Sequence, residues 1–319
     1  MRVVGLRQFG GPDVLEVIDL PEPHAGPGEV RIGVRASAIN PADTLIRRGL
    51  SPIRPDGSRP AIPGLDVAGT IDEIGPGTMT DLAVGDDVMA MVNPTRAAGG
   101  GYAEFVVLPE SWVSPVPARA GYAEAGTLPM SGLTALNAID RLHLAPRSRL
   151  GITGAAGAVG GYAVQLAKAA GHHVVADAAP KDLEIVRALG ADEVVARGPG
   201  LADRFLTLWP DGLDAVVDAA VIGPALLPAV RAGGSLVNVR SHPDQATFAQ
   251  LAAARKVTLE YAFVHEYDGR RDRMDLLRRL AGEGRITLRV AEVFPPERAA
   301  DAHRVLEAGG VRGRLVLQW

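Results

Sequence analysis

Residues 148–171 have the sequence SRLGITGAAGAVGGYAVQLAKAAG, and this stretch decides the fold. Its first part is a short apolar strand pattern that contains Leu150 and Ile152. Small residues follow, and after them apolar residues recur at the i, i+3, i+4 and i+7 spacing of a helix packed on one face. Those residues are Val159, Tyr162, Ala163, Leu166, Ala167 and Ala170. The stretch therefore predicts a strand, a glycine-rich turn and a helix, in that order.

The turn has the pattern A-x-G-x-x-G, formed by Ala155, Gly157 and Gly160, where the usual pattern begins with glycine. Small residues let a diphosphate approach the main chain, and a helix N-terminus offers unpaired N–H groups and a positive dipole end. Two interpretations stay open at this point. One is a turn made of small residues for tight packing, and the other is a dinucleotide site whose contacts come from Ala156, Gly157, Ala158, Val159 and Gly160.

A carboxylate follows at the position where dinucleotide-binding folds carry one. Asp177 closes the next apolar strand, HHVVAD, about 20 residues after Gly157. There a carboxylate takes the hydroxyls of the adenosine ribose. The competing interpretation is a helix N-cap ahead of Pro180.

The composition excludes several classes of function. The chain has 319 residues, a formal net charge of −4 and no cysteine. This charge gives no sign of a nucleic-acid partner, and the lack of cysteine excludes disulfides, zinc–thiolate sites and thiol nucleophiles. No apolar run reaches the roughly 18 residues of a membrane span, and residues 1–13 lack the apolar core of a signal peptide. We therefore expect a cytoplasmic protein with no membrane partner.

The second half of the chain predicts an α/β fold. From Leu150 onward, six strand patterns alternate with helix patterns, which is typical of a doubly wound parallel sheet. One predicted helix covers residues 223–234, and the last strand, VTLEYAFV, covers residues 257–264. This strand has β-branched and aromatic residues, and at the edge of the sheet it would pair with a second copy to form a homodimer.

The first third of the chain has a different pattern. Short strand-like runs are separated by Pro, Gly and Asp, which predicts an all-β domain, with an exposed loop at residues 50–63. The C-terminal strand–helix–strand segment is expected to return and complete this domain. The predicted domains are therefore a β-rich domain at residues 1–120 plus 265–319 and a parallel-sheet domain at residues 121–264.

A series of motifs then points to a family. They are NPAD (40–43), PGLDVAG (63–69), GGYAEF (100–105), LPMSGLTA (128–135) and AHRVLEAGGVRGRLVL (302–317). In their order and spacing they resemble the zinc-independent quinone oxidoreductase group of the medium-chain dehydrogenase/reductase superfamily. The resemblance implies a GroES-like catalytic domain, a Rossmann domain, and a cleft between them that holds a nicotinamide cofactor.

The residues support the metal-free branch of that superfamily. Zinc members carry a Cys and a Gly-His-Glu where this chain has Asn40 and Gly64-Leu65-Asp66. A leucine side chain has no donor atom, so Leu65 cannot ligate a metal. We therefore predict that the protein has no metal site.

The resemblance implies hydride transfer to a quinone or to an α,β-unsaturated carbonyl compound. Such an acceptor needs its reactive carbon about 3–3.5 Å from the nicotinamide and a hydrogen-bond donor for its carbonyl oxygen. Asn40 matches the family position beside the nicotinamide and the substrate, and the alternative is an Asx-turn before Pro41. His265 is the candidate general acid and would share a strand face with Phe263, although packing in the core or at a dimer interface explains both equally well.

Further cofactor contacts follow from matching positions. They are Thr134, Val239, Arg240, Phe263 and Arg314, the last of which replaces the Lys of the family ending G-K-x-V. The competing interpretations are a helix-interior threonine for Thr134, a core strand residue for Val239 and a surface salt bridge for Arg240.

The choice of cofactor stays open at the level of residues. Asp177 favours NADH, because a 2′-phosphate would meet a like charge. Lys181 and Arg197 follow the second and third strands, where they would neutralise a phosphate. We predict NADPH, because the resemblance implies it, and keep NADH as the alternative. The enzyme likewise has an alternative from another class, a cofactor-binding protein with little turnover, like the crystallins of this family.

Overall fold

The structure is a computed structural model that describes residues 1–57 and 59–319. Ser58, within the predicted loop at 50–63, lies outside the described residues. The chain forms two units. The first unit contains Met1–Met130, Tyr267–Gly284 and Leu288–Trp319, and the second contains Ser131–Glu266 and Arg285–Thr287. The domain boundaries expected from the sequence stay a prediction.

The strands follow the apolar runs of the sequence. They are β1 (Arg2–Gly5), β2 (Glu16–Asp19), β3 (Glu29–Ile39), β4 (Asp66–Ile74), β5 (Asp87–Met91), β6 (Phe105–Pro109), β7 (Val113–Pro115), β8 (Arg149–Thr153), β9 (His173–Ala178), β10 (Glu193–Ala196), β11 (Leu213–Asp218), β12 (Val230–Asn238), β13 (Thr258–Tyr261), β14 (Val290–Phe294) and β15 (Arg314–Gln318).

The α-helices lie between these strands. They are α1 (Pro41–Arg47), α2 (Tyr122–Ala125), α3 (Pro129–Arg141), α4 (Ala158–Ala169), α5 (Leu183–Ala188), α6 (Leu201–Leu208), α7 (Gln245–Ala254), α8 (Arg271–Gly282) and α9 (Ala299–Ala308). In the part of the chain that the structure describes, no helix has both the length and the apolar character needed to cross a bilayer.

The second unit contains the predicted doubly wound sheet. Its strands run parallel in the order β10-β9-β8-β11-β12-β13. The order reverses between β8 and β11, and ligands of such sheets bind where it does so, outside the carboxyl ends of the strands. One face of the sheet is buried against a cluster that includes Phe205, Leu236 and Phe248, each with no exposed surface.

One predicted helix of this unit is wrong. Residues 223–234 form a 3₁₀ helix, Gly223–Ala229, and β12 then begins at Val230. Pro228 lies inside the 3₁₀ helix. Proline lacks the N–H that an α-helix needs and clashes with the preceding turn, so the segment does not continue as a regular helix.

The first unit has the predicted β-rich architecture. Its large sheet has the order β14-β15-β3-β4-β5-β7, and β6 also pairs with β3. The C-terminal strand β15 pairs antiparallel with β3, with Leu315 opposite Ile39. The tail therefore completes the first unit, as the sequence predicts.

Helix α1 was not predicted from the sequence, which indicated only a turn at Asn40. Pro41 occupies its first position, where the missing N–H costs no helical hydrogen bond. Asp43, three residues after the N-cap, accepts a hydrogen bond from the N–H of Asn40 at 2.8 Å. This contact is one half of a capping box, and it fixes the chain where β3 ends.

A buried polar chain links α1, the segment before β6, and α9. The Tyr102 hydroxyl donates to Asp43 Oδ2 at 3.1 Å and lies 3.3 Å from His303 Nε2. All three side chains are buried. Burial raises the pKa of Asp43 to about 7, and burial together with the charge of Arg47 lowers the pKa of His303 to about 3.

The two pKa shifts make the free energy of unfolding depend on pH in opposite directions. A histidine with a lowered pKa contributes stability that is complete above its unfolded pKa of 6.5 and is lost as the pH falls toward 3. A carboxyl group with a raised pKa instead costs stability as the pH rises from 3.8 to about 7.

We predict that His303→Gln makes the free energy of unfolding fall more steeply with rising pH between 4 and 6.5, because only the carboxyl contribution remains. One pKa unit is about 1.4 kcal/mol, so the divergence from wild type should reach a few kcal/mol. Urea unfolding at three pH values measures it, with the exposed His24→Gln as control. Parallel curves for wild type and His303→Gln would contradict the prediction.

A second prediction concerns the close approach of β3 and β4. A Cβ atom on Gly69 would lie 2.1 Å from the carbonyl oxygen of Gly33, and a backbone atom cannot move aside. Gly69→Ala should therefore lower the free energy of unfolding by roughly 1–3 kcal/mol. The control is Gly11→Ala, since Gly11 has φ −68° and no neighbour within 4 Å of an added Cβ. Equal free energies of unfolding for the two variants, measured in urea, would refute the prediction.

Candidate functional site

A row of polar residues marks the carboxyl edge of the parallel sheet. The strands β8, β11, β12 and β13 end at Thr153, Asp218, Asn238 and Tyr261, and these residues are aligned in neighbouring strands. This row was not predicted from the sequence, although each residue ends an apolar strand. The signal was the repeated polar residue at the point where a strand ends.

Two members of the row hold the loop that follows β11. Thr153 Oγ1 donates to Asp218 Oδ1 at 2.6 Å, and the N–H of Gly223 donates to Asp218 Oδ2 at 2.7 Å. The amide of Asn238 and the hydroxyl of Tyr261, in contrast, are buried without a hydrogen-bond partner among the described residues. The edge is therefore rigid near β8 and retains hydrogen-bonding capacity near β12 and β13.

The glycine turn after β8 has the predicted form. Gly154 has φ +65°, which a side chain would strain, and the N–H of Gly157 donates to the Gly154 carbonyl at 2.9 Å. Gly157 is the N-cap of α4, so Ala158, Val159 and Gly160 form its first turn. A Cβ on Gly160 would lie 2.3 Å from the Gly154 carbonyl oxygen. Tight packing thus explains Gly160, and the same packing presents the first N–H groups of the helix at the sheet edge.

Asp177 does not cap the 3₁₀ helix at Pro180, and its contact with the adenosine ribose stays a prediction. Its Oδ1 accepts a hydrogen bond from the N–H of Gly154 at 2.6 Å, and only 4% of the residue is exposed. Burial raises its pKa, whereas hydrogen bonds from the Gly154 and Ala155 backbone and the charge of Arg197 lower it. The carboxylate therefore braces the glycine turn, and the N-cap before the 3₁₀ helix at Pro180 is Ala179.

The other predicted cofactor residues of the second unit lie just past the ends of strands. Lys181 and Arg197 follow β9 and β10 and are exposed, and Val239 and Arg240 follow β12. Arg197 lies near enough to Asp177 for its charge to lower the pKa of that carboxyl group. Ala156 is buried in the turn, and Thr134 is buried in α3.

The strand face predicted for Phe263 and His265 is wrong. β13 ends at Tyr261, and Val264–Tyr267 forms a 3₁₀ helix. The two rings nevertheless meet edge to face with centroids 5.3 Å apart, and Phe263 is 60% exposed. The last ladder-like bond at this end of β13 runs from the N–H of Ala262 to the Asn238 carbonyl.

In the first unit, Asn40 lies between β3 and α1 and is completely buried. Its side-chain Nδ2 donates to Asp66 Oδ2 at 2.7 Å, and its backbone N–H donates to Asp43. Its Oδ1 is buried without a partner in the described chain. The Asx-turn expected as the alternative is therefore replaced by a tertiary hydrogen bond.

Asp66 anchors this arrangement. Its Oδ1 accepts from the N–H of Met130 at 2.6 Å, so both oxygens are engaged. Burial raises the pKa of Asp66 to about 6, and its hydrogen bonds and the charge of Arg314 act in the opposite direction. Arg314, the first residue of β15, is only 6% exposed. It therefore acts on the Asp66 carboxylate from the interior.

Asn40, Leu65 and Asp66 stand where the resemblance places the zinc ligands, and the absence of a metal stays a prediction. Leu65 is buried, and the described residues contain no group of three or more His, Cys, Asp or Glu side chains placed to hold an ion.

Comparisons with known proteins agree with this architecture. Residues 26–118 match the model of the alcohol dehydrogenase GroES-like domain, and residues 189–317 match that of the zinc-binding dehydrogenase family. A chloroplast envelope quinone oxidoreductase homolog of Arabidopsis thaliana is 32% identical, over 97% of this chain and 95% of that protein.

Two solved structures match this chain over its whole length, and each match also includes the whole of the solved chain. One is an NAD-dependent alcohol dehydrogenase with a TM-score of 0.87 and 32% identity. The other is a mycobacterial protein complexed with NADPH, with a TM-score of 0.86 and 27% identity. Together with the sheet order, the glycine turn and the position of Asn40, these matches show that the chain belongs to the quinone oxidoreductase group of the medium-chain dehydrogenase/reductase superfamily.

Proposed function

We propose that the protein is a zinc-independent oxidoreductase that transfers hydride from NADPH to a quinone or an α,β-unsaturated carbonyl compound. The observation that carries the proposal is the convergence of the candidate binding residues on one edge of the second unit. The glycine turn, Lys181, Arg197, Val239 and Phe263 all follow the carboxyl ends of parallel strands. That edge is where doubly wound sheets bind dinucleotides.

The residues of this edge fit the parts of a nicotinamide dinucleotide. The N–H groups at the start of α4 would hold the diphosphate, and the partnerless polar groups of Asn238 and Tyr261 lie two and three strands away from the turn in the sheet order. When bound, the cofactor supplies the hydride. The chain supplies position, exclusion of water and hydrogen bonds.

The substrate class follows from what the chain lacks. Without a Lewis acid, an alkoxide would have no strong stabilising charge, whereas a carbon conjugated to a carbonyl group accepts hydride directly. Leu65 and the absence of cysteine leave no zinc ligands at the usual positions. The name of the Arabidopsis relative supports a quinone as acceptor. Asn40 is the proposed catalytic residue, and His265 stays the predicted general acid.

NADPH is favoured over NADH by the state of Asp177. Its Oδ1 already accepts a hydrogen bond from the glycine turn, which leaves less of the carboxylate for a ribose hydroxyl. Lys181 and Arg197 place two positive charges after β9 and β10, the strands beside the turn. This arrangement suits a 2′-phosphate, as does the NADPH complex of the mycobacterial relative.

A protein that binds the cofactor with little turnover is the second candidate. It shares every binding residue, and only kinetics separates the two. A homodimer through the edge strand β13 and a cytoplasmic location also stay predictions.

Turnover is tested by following the absorbance of NADPH with a panel of small quinones and enones. We expect rapid oxidation with at least one quinone. We also expect an Asn40→Ala variant that still binds NADPH while kcat falls about tenfold or more, because the acceptor loses its alignment. Incubation with a chelator should leave the wild-type rate unchanged. Quenching of protein fluorescence by NADPH without oxidation by any acceptor would favour the binding protein.

Cofactor choice is tested with Arg197→Ala. Loss of this charge should lower kcat/KM for NADPH about tenfold or more and change kcat/KM for NADH little, because only NADPH carries the 2′-phosphate. Arg187→Ala is the matched control, since it removes the same charge from an exposed position on α5. A wild type that prefers NADH, or equal losses for both cofactors, would refute the assignment of Arg197.

A further inference from the structure

The N–H donors of Asn40 all point to acceptors within the protein, and two of these acceptors are carboxylates. Its backbone N–H is bonded to Asp43, and its side-chain Nδ2 is bonded to Asp66. A second, longer contact runs from Nδ2 to the carbonyl of Ala38 at 3.4 Å. What remains is the acceptor Oδ1, which is buried and has no partner within the described residues.

The chemistry of Asp66 identifies which atom of the Asn40 side-chain amide is the nitrogen and which is the oxygen. A carboxylate only accepts hydrogen bonds, so the atom of Asn40 that faces it at 2.7 Å must be the nitrogen. Asp66 cannot turn away, because its other oxygen holds the N–H of Met130 and the residue has no exposed surface. The Asn40 amide is therefore held in one orientation.

We infer that Asp66 is a positioning residue that makes Asn40 a hydrogen-bond acceptor toward the reacting ligand. This inference rests on the proposed function and narrows it. An acceptor oxygen repels the negative charge that develops on a carbonyl oxygen during hydride transfer. Asn40 is thus not the donor that stabilises that oxygen. Its partner is an N–H or O–H group, because a buried acceptor without a donor has lost its hydration and gained nothing in exchange.

Two sources would supply such a donor. One is the carboxamide N–H of the nicotinamide, and the other is a hydroxyl group on the acceptor molecule. The two share the same chemistry, and the ligand preferences of the protein distinguish them.

The first experiment compares wild type, Asp66→Asn and the exchange variant Asn40→Asp/Asp66→Asn. In Asp66→Asn, the new side chain has one oxygen, while Met130 N–H and Asn40 Nδ2 both need an acceptor. The oxygen stays with Met130, and the new NH2 group donates to Asn40 Oδ1. The Asn40 amide therefore flips and presents Nδ2 instead of Oδ1. In the exchange variant, the amide at position 66 donates to the carboxylate at position 40, whose second oxygen again presents an acceptor. The total charge of the pair stays the same.

We expect Asp66→Asn to lower kcat about tenfold or more, and the exchange variant to recover to within about threefold of wild type. Melting temperatures are recorded for each, and assays are run at a pH well above 6, where Asp66 is ionised. Full activity of Asp66→Asn, or an exchange variant that is folded and as slow as Asp66→Asn, would overturn the inference. If Asp66→Asn does not fold, the exchange variant alone still decides it.

The second experiment measures binding and needs no turnover. Dissociation constants of NADPH and of its acetylpyridine analogue, which has a ketone in place of the carboxamide, are compared for wild type and Asn40→Leu. A severalfold preference for NADPH that Asn40→Leu loses assigns the donor to the cofactor. If that preference is absent or unchanged, dissociation constants of 2-hydroxymethyl-1,4-naphthoquinone, whose alcohol stays protonated at this pH, and of 2-methyl-1,4-naphthoquinone are compared in the same two proteins. A preference for the hydroxymethyl compound that Asn40→Leu loses assigns the donor to the acceptor molecule, and the inference is overturned if Asn40→Leu loses no preference in either pair of ligands.

The outcomes separate the inference from the proposed function. If the wild type fails to oxidise NADPH with every acceptor tested, the proposed function is contradicted. The binding comparison still tests the role of Asn40 in that case. Normal turnover with no effect of Asp66→Asn contradicts only the inference.

Discussion

The hydrogen bond from the N–H of Gly154 to Asp177 is the contact on which the second unit depends. It ties the first residue after β8 to the end of β9, and it does so at a residue whose φ of +65° only glycine adopts easily. The turn is then closed by Gly157 and packed by Gly160, so α4 starts at a fixed point above the sheet. A rigid helix start is what an anion site made of backbone requires, because loose N–H groups would lose entropy on binding.

The first unit differs from the second in that it buries charged side chains inside a β-rich core. Asp43 accepts three hydrogen bonds and Asp66 two, which offsets the cost of burying both carboxylates. The raised pKa values of Asp43 and Asp66 show that the offset is incomplete. Groups that cost stability and have shifted pKa values cluster at functional sites. Asn40 is hydrogen-bonded to both of these carboxylates.

Much of this organisation was predictable from local patterns. The alternation of apolar strands with helices and the glycine turn follow from periodicity and turn residues, whereas the pairing of the C-terminal strand β15 with β3 was seen only in the structure. The failures were also local in origin. The segment 223–234 carries helix-like spacing, but Pro228 interrupts it. Arg47 shows a limit of a different kind, because this charged residue is only 1% exposed and is bonded to the Gly10 carbonyl and to the distant Glu307.

The sequence by itself determined the order of the elements, the place of the glycine turn and the absence of cysteine, because each of these depends on neighbouring residues or on composition. Only the tertiary structure decided what the polar side chains do. Asp177 reaches back 23 residues to Gly154, and Asn40 reaches forward 26 residues to Asp66. A hydrogen bond between residues that far apart exists only after the strands have packed, and so no local pattern shows which of their atoms is left for a ligand.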